Sequence, residues 1–597
     1  MRRRTPVPTA AVAVVAAACL VLTGCGVAMP HSGQVHETTL VGSDRDELPP
    51  NIDPPRPKKG ASPEEIVAGF LDAMTATPAV RLAVAREYLT KEASSSWQPT
   101  GMLIYREPLS PRGSSTVEQR FIDAYRIDAR GAWLGPATEA ESTVEFPMSH
   151  ESGEYRISQP PSNLLVPQTW FAARFRQVSL YFFDPTGKML IPEPVFVPRG
   201  PQFASALVNA LLVGPSQELG GTEKSYLPSD LRSVVSVPVS ADGVAEVDLT
   251  SDTADAALPT TTEQAEMLVS QLAWTLRQDP TIAKFRVSID NRTLQLPGET
   301  EFSVEHGHQY APYVGGSSTQ LFGLRDGLMV GGSPQNLAPV AGPFGQPGYD
   351  LREVTADLLA QQAAGVSSGG DELWLAPVKD SGDPPRRLLA GQEDLLRPGW
   401  DFSGRLWEVD RRSTGAVVYY LRVDRRGSEM VPLDVPGISG RDVKHFLISR
   451  DGSRLIAVIR DSAEQDSIVV GRILTTGDGQ VVQALAADNI TDPLNPEGQI
   501  RDITWSSPTS LSVLRPVSRQ LFQVFSASVD GASGFDAFPV PVDGNVVGLA
   551  GTPVPNERIF AFQAAHDGEP AALVDLAGPR SNSIEVDSRV TSLSYAG

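Results

Sequence analysis

One stretch decides the fold of this chain: Phe446-Leu447-Ile448-Ser449-Arg450-Asp451-Gly452-Ser453-Arg454-Leu455-Ile456. Two short apolar segments flank a polar centre that contains Asp and Gly, the composition of a tight turn between two strands. A second copy is Pro398-Gly399-Trp400-Asp401-Phe402-Ser403-Gly404-Arg405-Leu406-Trp407. Weaker copies surround Ser367-Ser368-Gly369-Gly370, Trp505-Ser506-Ser507-Pro508 and Thr552-Pro553. Their spacing is typical of propeller blades, so the sequence predicts an all-β propeller over residues 315–597.

The propeller is expected to have about six blades. Inner strands are predicted near residues 360, 400, 447, 505 and 549, with a last one at Leu593. The last strand has too little sequence after it for its own blade, whereas residues 320–330 have the pattern of outer strands without an inner partner. We therefore expect Val590–Tyr595 to complete that blade and close the ring, which removes its open edges. An elongated sandwich of irregular strands is the alternative.

Residues 176–298 have the signals of a smaller α+β domain. A helix with apolar residues at helical spacing ends at Gly214-Pro215, a common stop signal. Two alternating segments flank Ala241-Asp242-Gly243, which predicts a hairpin. A second helix follows Thr261, and a last strand is centred on Val287.

This domain resembles the GerMN family, which is known from spore germination and sporulation proteins. The resemblance rests on Leu180-Tyr181-Phe182, the helix end at residues 206–215, Leu227-Pro228 and Val244-Ala245-Glu246-Val247-Asp248-Leu249. It implies a binding or scaffolding module outside the cytoplasm, with no catalytic residues to assign.

The N-terminus has the layout of a lipoprotein signal. Arg2-Arg3-Arg4 precede an apolar run from Ala10 to Leu22, which is shorter than the roughly 20 residues that a spanning helix needs. Leu22-Thr23-Gly24-Cys25 then matches a lipobox. We predict a signal peptide over residues 1–24, cleavage between Gly24 and Cys25, and a Cys25 that carries S-diacylglycerol and an N-acyl group such as palmitate. The alternatives are an ordinary secretory signal with a chance cysteine, or an uncleaved short anchor.

The lipidated cysteine and a polar, proline-rich segment form residues 25–61, which we predict to be a flexible tether. Folded structure should begin at Ser62-Pro63-Glu64-Glu65, which has the pattern of a helix capping box with proline at the first helical position. Helical spacing followed by strand-like segments predicts an N-terminal α+β domain over residues 62–165.

Composition limits the possible functions. The formal net charge is -21, so nucleic acid is not an expected partner, because binding it requires a basic surface. One of the two cysteines, Cys19, lies in the predicted signal peptide. The mature chain would therefore have no disulfide.

The sequence offers few groups for catalysis. It has no Ser-x-x-Lys, no His-Glu-x-x-His and no phosphate loop, and we expect no serine nucleophile elbow. Asp248 and Asp290 are a candidate carboxylate pair, but solvation at strand edges is the favoured interpretation, since catalysis needs a shared cleft. His306-Gly307-His308 would need a further ligand to bind a metal, so residues 299–314 are interpreted as a solvated linker. We predict no enzyme activity, no cofactor and no metal site, and place the tryptophans of the repeats in the blade core.

The whole chain is multidomain: an α+β domain, a GerMN-like α+β domain and an all-β propeller. With the lipobox, this order resembles the LpqB lipoproteins of actinomycete-type bacteria, and Ser449-Arg450-Asp451-Gly452 resembles the TolB-type propeller repeat. The LpqB resemblance implies a protein anchored by lipid to the extracytoplasmic face of the cell membrane. It also implies a non-catalytic accessory of an Mtr-type sensor histidine kinase in a two-component system, supporting cell-envelope homeostasis and division.

The expected partners are the extracytoplasmic domain of that kinase and the lipid bilayer, through acylated Cys25. The cell wall is a further candidate partner. The alternative function is that of a cell-wall hydrolase or peptidoglycan-binding protein that uses the propeller channel.

Overall fold

The computed structural model describes residues 54–597, apart from residues 77, 216–221, 234–235, 252–258, 260, 314–316, 424–427, 492–497, 533–538, 567–569 and 579–582. The predicted signal peptide, Gly24, Cys25 and most of the tether lie outside the described residues. The prediction of a flexible tether is wrong for its last residues, 54–61, which pack on the first domain: the Tyr88 hydroxyl donates to the Pro55 carbonyl at 2.6 Å, and the Gly60 N–H donates to Glu154 at 2.8 Å. In the described part of the chain, no helix is both long and apolar enough to cross a membrane.

The first domain packs helices against two sheets. Its helices are α1 (Pro63–Met74), α2 (Pro78–Arg86), α3 (Lys91–Ser96) and α4 (Gln168–Arg174). Its strands are β1 (Gly101–Tyr105), β2 (Glu107–Pro108), β3 (Arg112–Gly113), β4 (Thr116–Ile122), β5 (Tyr125–Ile127), β6 (Trp133–Pro136), β7 (Thr143–Glu151), β8 (Glu154–Ile157) and β9 (Asn163–Pro167). The sheet orders are β6-β5-β1-β9 and β2-β4-β7-β8, with β3 on β4.

The start of α1 is the predicted capping box, in which Ser62 and Glu65 cap each other's backbone N–H groups. Ile66 and Phe70 lie on its buried face. The domain continues past residue 165, because β9 pairs in parallel with β1 and Phe171 of α4 is buried in the same core. A parallel partner so distant in sequence has no hairpin signal, which explains why the strand pattern did not predict it.

The second domain contains the strands β10 (Phe175–Phe183), β11 (Leu190–Pro198), β12 (Leu231–Ser233), β13 (Val244–Ser251), β14 (Lys284–Ile289), β15 (Arg292–Thr293) and β16 (Phe302–Ser303). Its helices are α5 (Phe203–Val213) and α6 (Thr262–Leu276). A long hairpin, β10-β11, accompanies a sheet of order β12-β13-β14-β15. Helix α6 connects β13 to the parallel strand β14, and the Thr261 side chain caps its N-terminus as predicted. The predicted turn before β13 is present, with Gly243 at φ +75.

The segment 299–314 is not the solvated linker that the sequence predicts. Strand β16 adds to the domain sheet by pairing with β14, and Phe302 is completely buried. The Trp274 indole N–H of α6 donates a hydrogen bond of 3.0 Å to the Gly307 carbonyl. The burial of Phe302 and the hydrogen bond from Trp274 therefore hold this polar segment against the second domain.

The propeller contains six sheets in the described residues. The first blade has β17 (Leu321–Arg325), β18 (Leu328–Ser333) and β19 (Asn336–Pro339); the second has β20 (Leu351–Ala356), β21 (Gln362–Ser367), β22 (Leu373–Pro377) and β23 (Arg386–Leu389). The third has β24 (Gly399–Trp400), β25 (Arg405–Asp410), β26 (Val417–Arg422) and β27 (Val431–Leu433). The fourth has β28 (Val443–Ile448), β29 (Arg454–Ser462), β30 (Gln465–Thr475), β31 (Val481–Ala484) and β32 (Asp488–Asn489). The fifth has β33 (Asp502–Ser507), β34 (Ser510–Pro516), β35 (Leu521–Ser528) and β36 (Val540–Asp543); the sixth has β37 (Val546–Ala550), β38 (Phe560–Gln563), β39 (Ala572–Asp575) and β40 (Ser583–Glu585).

The last strand, β41 (Val590–Tyr595), pairs with β17 and completes the first blade. The predicted ring closure is thus confirmed. The multidomain α+β, GerMN-like and propeller fold class is confirmed as well. Trp400, Trp407 and Trp505 are buried in the blades, as predicted.

The two clear repeat copies share one turn geometry. Asp401 accepts the backbone N–H of Ser403 at 2.9 Å, and Asp451 accepts that of Ser453 at 2.8 Å. Such side-chain contacts to the backbone two residues ahead stabilise tight turns. Gly452 has φ +72, and a Cβ there would come within 2.8 Å of an Asp401 carboxylate oxygen.

The second domain packs on the propeller end that carries the turns between first and second strands. Arg454, completely buried, donates to the Pro192 carbonyl of β11 at 2.6 Å. At the same end, Arg450 reaches from the fourth blade to the Thr552 hydroxyl at 2.9 Å and the Ala596 carbonyl at 2.7 Å, which follow inner strands of the sixth and first blades. Arg450 therefore bridges the channel at the end covered by the second domain.

Candidate functional site at the open end of the channel

The opposite end of the propeller channel opens into a cavity of about 360 Å³. We call this cavity the channel mouth. Its basic lining residues are Arg352, Arg397, Arg411, Lys444 and Arg501. Its other titratable lining residues are Glu353, Asp394, His445 and Asp502. Basic side chains thus outnumber carboxyl groups in the lining of this cavity.

Blade topology brings the basic residues together. Arg352 and Lys444 lie at the starts of inner strands β20 and β28, Arg501 immediately precedes β33, and Arg397 lies two residues before β24. Inner strands of a propeller run in the same direction along the channel, so their first residues meet at one end. The sequence contains this signal as a basic residue near the start of four successive blades, a pattern that belongs to no catalytic motif.

Asp394 links two of the guanidinium groups. It accepts hydrogen bonds from Arg352 and Arg411, the latter from Nε to Oδ2 at 2.7 Å. Burial favours the neutral acid, but these two guanidinium groups outweigh burial and hold the pKa of Asp394 below its usual value. Asp394 is therefore ionised at neutral pH and fixes both arginines in place.

Glu353 fixes the position of Arg397 in the same way. The Arg397 Nε donates to Glu353 Oε2 at 2.9 Å, and the Ser592 hydroxyl of β41 donates to the same oxygen. Burial raises the pKa of Glu353, but Arg397, Ser592 and Arg352 together lower it below its usual value. The closing strand thus contributes directly to the geometry of the mouth.

The remaining polar groups lie on the fourth and fifth blades. Lys444 donates to Asp466 at 2.7 Å and to the Ile500 carbonyl at 2.9 Å. Asp502 accepts the backbone N–H groups of Ile503 at 2.9 Å and Leu549 at 2.8 Å.

His445 lies 3.7 Å from Asp502, measured from Nδ1 to Oδ1. Burial lowers the pKa of His445 below its usual value; Arg397 and Lys444 lower it further, while Asp502 opposes them. The imidazole is therefore neutral at pH 7.

Arg501 differs from the other cations. Its side chain is exposed and makes no hydrogen bond or ion pair within the described part of the chain. The walls also include apolar side chains, among them Phe446, Ile503 and Val547. The channel mouth therefore combines fixed guanidinium groups, one unpaired cation and apolar surface, a composition suited to binding an organic anion.

The other carboxylates that the sequence singles out make local hydrogen bonds. Asp248 accepts the Ser288 hydroxyl. Asp290 accepts the Thr250 hydroxyl at 3.1 Å and the Ser251 N–H at 3.0 Å. Each carboxylate thus serves local contacts, Asp248 within β13 and Asp290 directly after β14.

His306 lies against α6, with its Nε2 2.9 Å from Glu266 Oε1. The described residues contain no group of three or more His, Cys, Asp or Glu placed to hold a metal ion.

One stretch of the sequence has the Gly-x-Ser-x-Gly spacing of a serine nucleophile elbow. Gly365-Val366-Ser367-Ser368-Gly369 has that spacing. It lies at the turn between β21 and β22, where the Ser367 hydroxyl donates to Asp371 at 2.9 Å. A nucleophile elbow joins a strand to a helix. This serine instead belongs to a turn between two blade strands.

Three family models match the chain, each over a different domain. The model described as Lipoprotein LpqB, N-terminal domain, matches residues 56–172. The model described as Sporulation and spore germination matches residues 179–295. The model described as Lipoprotein LpqB beta-propeller domain matches residues 327–540.

Similar proteins match this chain along most of their length. Lipoprotein LpqB of Thermobifida fusca is 26% identical over 582 residues, which cover 87% of this chain and 90% of the relative. Lipoprotein LpqB of Mycobacterium bovis is 28% identical over 455 residues, covering 70% and 74%. Among solved structures, the tandem GerMN domains of the Bacillus subtilis sporulation protein GerM are 23% identical and cover 22% of this chain and 46% of that one, with a TM-score of 0.18.

Proposed function

This chain belongs to the LpqB lipoprotein family, and on that premise we propose that it is a non-catalytic accessory protein of a sensor histidine kinase. Acylated Cys25 would hold it on the extracytoplasmic face of the cell membrane. From there it would contact the extracytoplasmic domain of an Mtr-type kinase and support envelope homeostasis and division.

The observation that carries this proposal is the placement of the folded domains behind a lipobox. Residues 25–53 have the composition of flexible coil, which would span roughly 30 Å on average. A tether of that length confines the folded domains to a thin layer next to the bilayer and raises their effective concentration for a kinase in the same membrane. Weak contacts would then be enough for regulation.

The channel mouth supports a binding role over a catalytic one. Its carboxylates Glu353 and Asp394 are already engaged by arginines, and their pKa values are lowered. A general acid needs a pKa raised towards neutrality.

The test is to replace Cys25 with Ala in the full-length chain and to measure kinase output in cells. Cys19→Ala, in the segment that is predicted to be removed, is the matched control. We expect Cys25→Ala to release the protein from the membrane and abolish its effect on the kinase, while Cys19→Ala changes neither. Unchanged kinase output from a fully released Cys25→Ala protein would reject the proposal.

The second candidate function is peptidoglycan binding or hydrolysis through the propeller channel. The observation that favours it is the open, partly apolar cavity at the channel mouth. Pelleting of the purified protein with isolated peptidoglycan would support binding, and release of soluble fragments would support hydrolysis. Neither result is expected if the kinase is the sole partner.

A further inference from the structure

The channel mouth lies at the free end of the propeller channel. Arg450 bridges the far end of the channel by hydrogen bonds to Thr552 and Ala596, and its backbone carbonyl accepts the Phe402 N–H at 2.8 Å. The second domain covers that same end through Arg454. A small molecule would therefore enter from the free end, where the basic residues lie.

The charge of the cavity is opposite to that of the protein. The chain as a whole carries a formal charge of -21, yet the lining of the mouth has five cationic residues and three carboxyl residues. Charges of one sign in a cleft with low-dielectric walls focus the electrostatic field and concentrate the oppositely charged solute. The local excess is therefore positive.

Three arginines of the channel mouth are held in place by carboxylates and still have N–H donors available for a ligand. Arg397 binds Glu353 through Nε, Arg352 binds its acceptors through Nη2, and Arg411 binds Asp394 through Nε and Nη2. In the described part of the chain, the Nη1 groups of these three arginines have no acceptor. A guanidinium has five N–H donors, so each can bind an anion without losing its carboxylate partner.

The apolar part of the lining selects against a bare inorganic ion. Phe446, Ile503 and Val547 provide surface that a hydrated ion cannot use. The cavity volume of about 360 Å³ lies at the lower end of the range for small-molecule sites. These features together indicate an occupant with an anionic group and a compact carbon body.

We propose that the channel mouth is a binding site for a small organic anion that carries a carboxylate or phosphate group. Arg501, Arg411 and Arg397 bind the anionic group, and the apolar wall contacts the rest of the molecule. This site is independent of the proposed kinase contact, which does not require a ligand.

The test is isothermal titration calorimetry on the full-length lipoprotein in detergent. Three probes are used: N-acetylmuramic acid, which has a carboxylate; N-acetylglucosamine, which lacks it; and inorganic phosphate, which has charge but no carbon body. We expect the acid to bind at least about tenfold more tightly than both the neutral sugar and phosphate, with an affinity that falls as salt is added. Equal affinity for acid and neutral sugar, or no binding of the acid at about 10 mM, would overturn the proposal.

Variants locate the site. Arg501→Gln and Arg411→Gln remove exposed or partly exposed cations, so both should fold, and each should weaken binding of the acid about tenfold. Arg286→Gln, which removes an exposed arginine paired with Glu246 in the second domain, is the control and should leave the affinity unchanged. Binding that survives both mouth substitutions would place the anion elsewhere and reject this site.

Discussion

Arg472 of the fourth blade holds Glu193 of the second domain through two parallel hydrogen bonds, Nη1 to Oε1 at 2.7 Å and Nη2 to Oε2 at 2.9 Å. Arg454, which follows the turn of the repeat at residues 446–456, donates to the same carboxylate. Burial favours the neutral acid, but the two arginines outweigh it and hold the pKa of Glu193 well below its usual range. One ionised carboxylate thus joins the second domain to the propeller.

Replacing Glu193 with Gln should destabilise this joint. The substitution leaves Arg454 completely buried with Asp451, at 3.5 Å, as its remaining carboxylate. Breaking a buried ion pair from one side costs about 3–5 kcal/mol. We expect a loss of that size in the free energy of unfolding by denaturant, together with faster proteolysis between the second domain and the propeller.

Glu246→Gln is the matched control for this experiment. Glu246 pairs with Arg286 on the surface, where the two side chains are 40% and 47% exposed. Exposed pairs contribute at most about 1 kcal/mol. Equal losses from the two variants would show that the Glu193 contact has no special role.

The repeat turns were predictable from local chemistry, whereas this joint was not. Asp and Gly in a short polar segment indicate a tight turn wherever they occur, and both turn copies formed as expected. The partner of Arg454 lies 261 residues earlier in the chain. No periodicity or spacing connects Arg454 to Glu193, because the contact depends on how two folded domains pack.

The candidate site was predictable in part. A basic residue at the start of successive inner strands is visible in the sequence, as with Arg397 and Lys444, and the ring closure then brings these positions together. The carboxylates that fix the arginines could not be assigned from sequence, since Glu353 receives the Ser592 hydroxyl from a strand 239 residues away. The prediction of a solvated linker before the propeller was wrong for a similar reason. Phe302 is buried in the core of the second domain, whose other core residues lie earlier in the sequence.

Glu408 should make the stability of the propeller depend on pH. Its side chain is completely buried, with Oε1 accepting the Val409 N–H at 2.9 Å and Oε2 without a hydrogen bond in the described residues. Burial, assisted by Asp410, raises its pKa well above the usual value. The folded state then retains a proton that the unfolded state loses, so stability falls as pH rises from the ordinary glutamate range towards the raised pKa, by up to about 1.4 kcal/mol per pH unit.

Glu408→Gln removes this dependence, because the amide is neutral at every pH. The free energy of unfolding of the variant, relative to that of the unsubstituted protein, should therefore be higher at pH 8 than at pH 5. Thermal unfolding across that range measures the difference. Parallel pH profiles for the two proteins would contradict the assignment of a protonated Glu408.

The closing strand should be essential for a stable propeller. Residues Leu593 and Tyr595 are buried on β41, which pairs with β17. Leu593→Asp places a charge in that core and should cost more than about 3 kcal/mol, with exposure of the β17 edge and aggregation. Arg589→Ala, just before β41, removes exposed ion pairs with Asp587 and Asp326 and should change stability by less than about 1 kcal/mol. Size-exclusion chromatography and denaturant unfolding distinguish the two variants.

His445 should make anion binding at the channel mouth pH-dependent. Its pKa is lowered mainly by burial, with Arg397 and Lys444 adding to the effect and Asp502 opposing it; Glu353 also favours the charged form. The imidazole is neutral at pH 7 and gains a proton only as the pH falls below its lowered pKa, which adds positive charge to the cavity. An anion in the mouth would favour that proton, so N-acetylmuramic acid should bind more tightly as the pH falls, and its binding should raise the pKa of His445. NMR titration of the His445 ring with and without the acid measures this shift. His445→Gln should bind the acid with the pH dependence removed, and a pH profile that persists in this variant would assign the effect to another group.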